Sequence, residues 1–214
     1  PIRHQAVCAY SQPDELVKLD AIKSYKTYKA GETLFWAGEE MASIGSVVNG
    51  VATLGRSLPD GRRQMVGLLL PSDFIGRPGR KIAQFDAMIA NSPSLERRLL
   101  DMTLDELDSA REWMLLLGRK TAREKIASLL AIVARRDAAL AKRAPKDGLV
   151  FNLPLTREAM ADYLGLTIET VSRQMTALRR DGLIELEEAR RIRVPDYAAL
   201  LNEAGDDSDG GMLE

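Results

Sequence analysis

The stretch Leu155-Thr156-Arg157-Glu158-Ala159-Met160-Ala161-Asp162-Tyr163-Leu164-Gly165-Leu166-Thr167-Ile168-Glu169-Thr170-Val171-Ser172-Arg173 constrains the fold of this 214-residue chain more than any other. It reads as a short helix, a tight turn and a second helix. Thr156 is placed to cap the first helix, and Ala159, Met160 and Leu164 supply its buried stripe. Gly165 falls where the chain must turn without a Cβ. Thr167 can cap the second helix, whose Val171, Met175 and Leu178 recur at helical spacing and face inward. Glu169, Ser172 and Arg173 are left facing outward near its N-terminus. That is where a recognition helix presents side chains to the major groove of DNA.

Those three residue types suit base reading. Arg173 can fork two N–H donors onto guanine O6 and N7, and Glu169 can accept from a cytosine N4 amino group. Ser172 can donate to a phosphate or a base edge. The competing possibility is that Glu169 and Arg173, at i and i+4, pair on a solvated helix face; the capped helix and glycine turn in front of them favour base reading. Arg157, Thr167, Thr170, Arg179, Arg180, Arg190 and Arg191 are candidates for the phosphate contacts that fix register. Downstream, Gly182 suits a helix terminus. Ile184-Glu185-Leu186 and Arg191-Ile192-Arg193-Val194 alternate like the two strands of a wing hairpin.

Bulk composition is compatible with this picture without requiring it. Formal net charge is −1, with 30 Lys+Arg against 31 Asp+Glu. Residues 141–196 hold ten Lys/Arg and nine Asp/Glu, so even this segment has no global basic footprint. There is no long apolar run and no signal-peptide pattern, which predicts a cytoplasmic protein with no membrane partner. A single cysteine, Cys8, rules out an internal disulfide framework. With one histidine and one cysteine, no paired catalytic carboxylates and no phosphate-binding glycine loop, the chain does not read as an enzyme. His4 is given no role.

Five segments follow from the pattern. Residues 1–21 form a leader carrying Cys8. Residues 22–93 read as an antiparallel β domain, with short β-rich runs (46–48, 51–54 and 65–70) punctuated by glycines. Asp60-Gly61 is a hairpin signal between two of those runs, and many short strands joined by glycine turns suggest a barrel or jelly roll. Residues 94–141 read as helix, with a break around Gly118–Ala122. In it Leu100, Leu107 and Met114 are seven apart, as are Thr103, Ala110 and Leu117, which gives an a/d seam. The seam either joins two copies of the chain or packs on the chain's own β domain; the need of dimeric helix-turn-helix proteins for an element that sets half-site spacing favours the dimer. Residues 142–203 form the winged helix-turn-helix, and 204–214 an acidic tail expected to be disordered.

This order of β-roll, long helix and winged helix resembles the Crp/Fnr superfamily of bacterial transcription regulators over nearly the whole chain. Gly31-Glu32, Gly38-Glu39, Gly50, Asp60-Gly61 and Phe74-Ile75-Gly76 resemble the motif of the cyclic-nucleotide-binding-like fold. The Glu169-x-x-Ser172-Arg173 arrangement is similar to the Fnr branch. Residues Thr103–Lys120 and Pro1–Cys8 resemble oxygen-responsive Fnr-type regulators of alphaproteobacteria. The resemblance implies an α+β fold: a cyclic-nucleotide-binding-like β-roll (jelly roll), a long dimerisation helix and a C-terminal winged helix-turn-helix. It implies a homodimeric activator that reads a TTGAT…ATCAA palindrome and meets RNA polymerase. Oxygen or redox sensing through a 4Fe–4S cluster would bias the dimer helix around Leu107 and Ala110.

Three departures bear on that sensing step. The family's cluster uses four cysteines, whereas here only Cys8 is present, and Ser11 stands near the usual place of another. Members usually have more residues, with a further cysteine, before the position of Pro1. Gly76-Arg77-Pro78-Gly79-Arg80 also runs directly into Lys81-Ile82-Ala83, where family β-strands and an internal cysteine are expected, so residues are expected to be missing near Arg80. Cys8 is therefore either a cluster ligand or a free thiol, and the alternative regulator is cluster-free, either constitutive or controlled by thiol oxidation. Cyclic AMP is not expected: relatives that bind it place a glutamate after the Phe-x-Gly element, where this chain has Arg77 and Pro78.

Overall fold

The computed structural model describes residues 6, 8–9, 11–36, 39, 44–57, 59–60, 63–76, 87, 89–188 and 190–205. His4, Gly38, Gly61, the segment 77–86 and the tail from 206 lie outside them. The chain forms two compact units, one built from Pro1–Asn49 and Pro71–Asp108, the other from Gly50–Leu70 and Ser109–Glu214.

In the first unit, helix α1 (Pro13–Ile22) starts with proline at its first position, where an N–H would be unpaired anyway. A reciprocal cap closes it, with the Gln12 backbone N–H donating to Glu15 Oε2 at 2.7 Å. Strands β1 (Gly45–Ser46) and β4 (Phe74–Ile75) pair antiparallel, Ser46 opposite Phe74. Gly76 follows at φ +155, and a Cβ there would come within 2.8 Å of Ile44 and 2.9 Å of the Phe74 ring, so the close approach requires glycine. Helix α2 (Pro93–Arg119) begins behind Ser92, whose hydroxyl accepts from the Leu95 N–H at 3.2 Å. Leu95 and Leu99 then pack with Ile44, Phe74 and Ile89.

In the second unit, β2 (Ala52–Ser57) and β3 (Arg63–Leu69) form an antiparallel hairpin, with a register shift between Leu54 and Gly55. Helix α2 ends at Arg119, and α3 (Ala122–Leu140) restarts behind Thr121. Thr121 and Glu124 cap each other: Glu124 N–H to Thr121 Oγ1 at 3.3 Å, Thr121 N–H to Glu124 Oε2 at 2.6 Å. Ile126, Ala127, Leu129, Leu130 and Ala134 of α3 are wholly buried and organise the core. Around it stand β5 (Leu149–Asn152), α4 (Arg157–Leu164), α5 (Ile168–Arg180), β6 (Glu185–Leu186), β7 (Arg191–Val194) and α6 (Tyr197–Ala204). The wing is wider than the two strands read from the sequence. Strand β5 pairs with β7, giving a three-stranded sheet in the order β5-β7-β6.

An ion cluster ties three of these elements together. Arg123 on α3 reaches Glu203 on α6 at 2.5 Å and Asp181 at the end of α5 at 2.8 Å. Asp181 also accepts from Arg180 at 3.0 Å. The Arg180 hydrogen bond, then Arg123, hold the Asp181 carboxyl below its ordinary range against a desolvation cost. A carboxyl depressed in the folded state stabilises the fold above its unfolded value, about 3.9, and loses that contribution as pH falls through the folded value. The expected outcome is that Asp181→Asn lowers the melting temperature at pH 7, with the gap to wild type closing as pH falls through the depressed folded value. Thermal melts between pH 2.5 and 7 check this; a gap that persists in acid would assign the loss to packing.

Candidate nucleic-acid interface

Both helices of the motif are capped by threonine. Thr156 Oγ1 accepts from the Ala159 N–H at 3.1 Å, and Thr167 Oγ1 from the Thr170 N–H at 3.2 Å. Each such cap contributes about 1 kcal/mol. Between the helices Gly165 adopts φ +62, and the Leu166 N–H returns to the Ala161 carbonyl at 3.0 Å. Met160, Leu164, Val171, Met175 and Leu178 are all buried, which sets the two helices against each other and fixes the outward face of α5. At its far end Gly182 (φ +77) lets the Leu183 N–H reach the Leu178 carbonyl at 3.0 Å, closing the helix.

Glu169, Ser172 and Arg173 are all exposed on that face. No ion pair joins Glu169 to Arg173 among the described residues. Glu169 is held below the ordinary carboxylate range by its own backbone N–H and by the Thr167 hydroxyl, so it stays an acceptor across the physiological range. Thr176 returns its hydroxyl to the Ser172 carbonyl at 2.9 Å and adds rigidity there.

The residues read as phosphate contacts divide into four groups. Arg179 and Arg190 are exposed, and neither forms an ion pair with a described residue. Arg180 lies on Asp181, and Arg191 Nε on Glu187 Oε2 at 3.0 Å. Arg157 is half-buried, with Nη1 3.4 Å from Met160 Sδ, and that burial pushes its guanidinium down from its ordinary range. The hydroxyls of Thr167 and Thr170 lie 3.1 Å apart and bond to each other.

Sequence reasoning missed Glu187. Its carboxylate bridges two wing arginines, taking Arg191 on one oxygen and Arg193 Nε on the other at 2.9 Å. An acidic run opposite an Arg-x-Arg strand was the available signal.

On α2, Leu100 is 57% exposed, Leu107 46% and Met114 74%, and Thr103 and Ala110 are also exposed. Leu117 is half-buried against its own core. Leu104 and Leu115, outside the seam read from the sequence, are exposed as well. Cys8 is a half-buried free thiol, and no group of three His, Cys, Asp or Glu that could hold a metal exists among the described residues. Four-thiolate ligation of an iron–sulfur cluster does not fit the single cysteine of these 214 residues. No helix among the described residues is long and apolar enough to cross a membrane.

Residues 124–203 match the model of the Crp-like helix-turn-helix domain, and residues 25–80 that of the cyclic nucleotide-binding domain. The chain is similar to the transcriptional activator protein FnrL of Cereibacter sphaeroides, at 59% identity covering 99% of this chain and 93% of the relative. The chain belongs to the Crp/Fnr family of transcription regulators. It is most like the Fnr type, a DNA-binding regulator and not an enzyme. The nitrogen fixation regulation protein FixK of Bradyrhizobium diazoefficiens is 38% identical over 86% of this chain and 84% of that protein. The solved structure of FixK2 from Bradyrhizobium japonicum superposes with a TM-score of 0.65 at 30% identity, covering 77% of this chain and 88% of that one.

The Glu187 bridge generates a prediction for this regulator. Glu187→Gln releases Arg191 and leaves Arg193 only its longer contact with Glu185 at 3.7 Å, so affinity for any duplex rises several-fold and the salt dependence steepens by about one unit of slope. Anisotropy titrations from 50 to 300 mM salt check it; unchanged affinity and slope would show that the wing does not face DNA.

Proposed function

We propose that two copies of this chain pair along α2 and place one α5 each in successive major grooves of a TTGAT…ATCAA-like palindrome, activating transcription in the cytoplasm through contact with RNA polymerase. The observation that carries this reading is the exposed triplet Glu169, Ser172 and Arg173 on the second helix of a Crp-like helix-turn-helix. Arg173 reads a guanine and Glu169 the amino group of a cytosine. Arg179 and Arg190 fix register on phosphates. The exposed Leu100, Leu107 and Met114 support the pairing of subunits, which sets half-site spacing near 34 Å. The activator role rests on similarity to FnrL and to the regulators of the FixK kind.

Oxygen control through a 4Fe–4S cluster, which the resemblance implies, needs thiolates that these residues do not carry, and no sensing step is assigned to a cluster here. The residues present fit the second reading better: a cluster-free regulator, either constitutive or controlled by oxidation of Cys8. Anisotropy titration of a labelled TTGAT–N4–ATCAA duplex, with protein prepared without oxygen and then exposed to air, separates the two. Equal binding supports the constitutive form. Binding that air abolishes and a thiol reductant restores supports Cys8. Stoichiometric iron and sulfide in the anaerobic protein would overturn both.

In the same assay Arg173→Ala weakens the palindrome by about 1–3 kcal/mol and relaxes preference at one base pair. Equal loss on random DNA would refute base reading. Leu107→Asp puts a charge in the seam and yields monomers in sedimentation at micromolar concentration; a surviving dimer would remove α2 as the contact.

A further inference from the structure

The hairpin β2–β3 falls within the segment matching the cyclic nucleotide-binding domain, yet it shares a compact unit with the helix-turn-helix. Gln64, on β3, donates from Nε2 to the backbone carbonyl of Asp162 at 3.0 Å, a partner 98 residues later in the chain. The same amide group lies 3.1 Å from the Met65 carbonyl, which holds it across the strand.

Asp162 lies in the last turn of α4, where helix carbonyls have no partner within the helix. The neighbouring carbonyls are met locally or from α3: Ala161 accepts from the Gly165 and Leu166 N–H groups, and Leu164 from Lys125 Nζ at 3.4 Å. Tyr163, between Asp162 and Leu164, stacks on Trp113 of α2 with ring centroids 3.8 Å apart and an interplanar angle of 22°. Leu68, also on β3, packs against the core that α4 and α5 share. Three consecutive residues, Asp162 to Leu164, are thus held from three other elements immediately before the turn that launches the DNA-reading helix.

We propose that the β2–β3 hairpin caps the first helix of the helix-turn-helix, and that Gln64 is a positioning residue for DNA reading. By fixing the end of α4 it fixes Gly165, and through that turn the direction of α5. Glu169, Ser172 and Arg173 are exposed in this capped arrangement. The hairpin thereby ties a strand pair of the sensor segment directly to the recognition helix. This rests on the DNA-reading role of α5 proposed above.

The test uses Gln64→Met, which keeps volume and removes the donor, and Gln64→Arg, which keeps a donor. The chain has two tryptophans, so Trp36→Phe leaves Trp113 as the sole reporter of the Tyr163 stack. Without DNA, Gln64→Met is expected to shift Trp113 emission, and Gln64→Arg to retain the parental spectrum. With labelled duplex, Gln64→Met weakens binding about threefold to tenfold, the effect of one neutral hydrogen bond, while the far-UV circular dichroism stays unchanged. Emission unaltered by Gln64→Met, or affinity equal to or above the parent's, overturns the cap. If the parent ignores the TTGAT duplex, the proposed target fails by itself, and emission together with affinity for a random duplex still decides the cap.

Discussion

The burial of the middle of α3, where every residue from Ile126 to Ala131 is buried, is the constraint on which the reading surface depends. Ile126, Leu129 and Leu130 are inaccessible to solvent, and the same core takes in Leu149 and Phe151 from β5, Met160 and Leu164 from α4, Val171, Met175 and Leu178 from α5, and Leu200 from α6. Interiors of this density transmit small displacements instead of absorbing them. A methylene lost from Leu129 would leave a defect in the core on which α5 packs. The cap at Thr121 matters for the same reason, because it sets where α3 begins after α2 stops.

Electrostatics on this surface work by local pairing, since the net charge is near zero. Glu187 occupies Arg191 and Arg193, Asp181 occupies Arg180 and Arg123, while Arg173, Arg179 and Arg190 carry no such partner among the described residues. A mixture of paired and unpaired arginines gives a patterned potential, which favours register over indiscriminate adhesion to phosphate.

The α2 stripe presents another balance. Leu100, Leu107 and Met114 hold apolar surface in water along one side of a 27-residue helix, whereas Leu116 and Leu117 near its end turn into the core. Exposed leucines at heptad spacing are costly in a monomer and favourable in a pair, which is the physical reason to expect a second copy.

Much of this was legible in the residues themselves. Thr156, Gly165, Thr167 and Gly182 act locally, through caps and left-handed turns that need only a few neighbours, so their roles follow from type and spacing. The periodic Val171, Met175 and Leu178 likewise define the buried side of α5 and hence its outward triplet. Strand β5 and helix α6 were not read, although the apolar run Leu149-Val150-Phe151 and the cap at Asp196 were there; a strand of four residues gains its identity from the partner β7, not from its own pattern. The contact of Gln64 with Asp162 was decided by tertiary structure alone. A side chain and a backbone carbonyl separated by 98 residues meet only after the core has set where their backbones lie, and no local propensity carries that information.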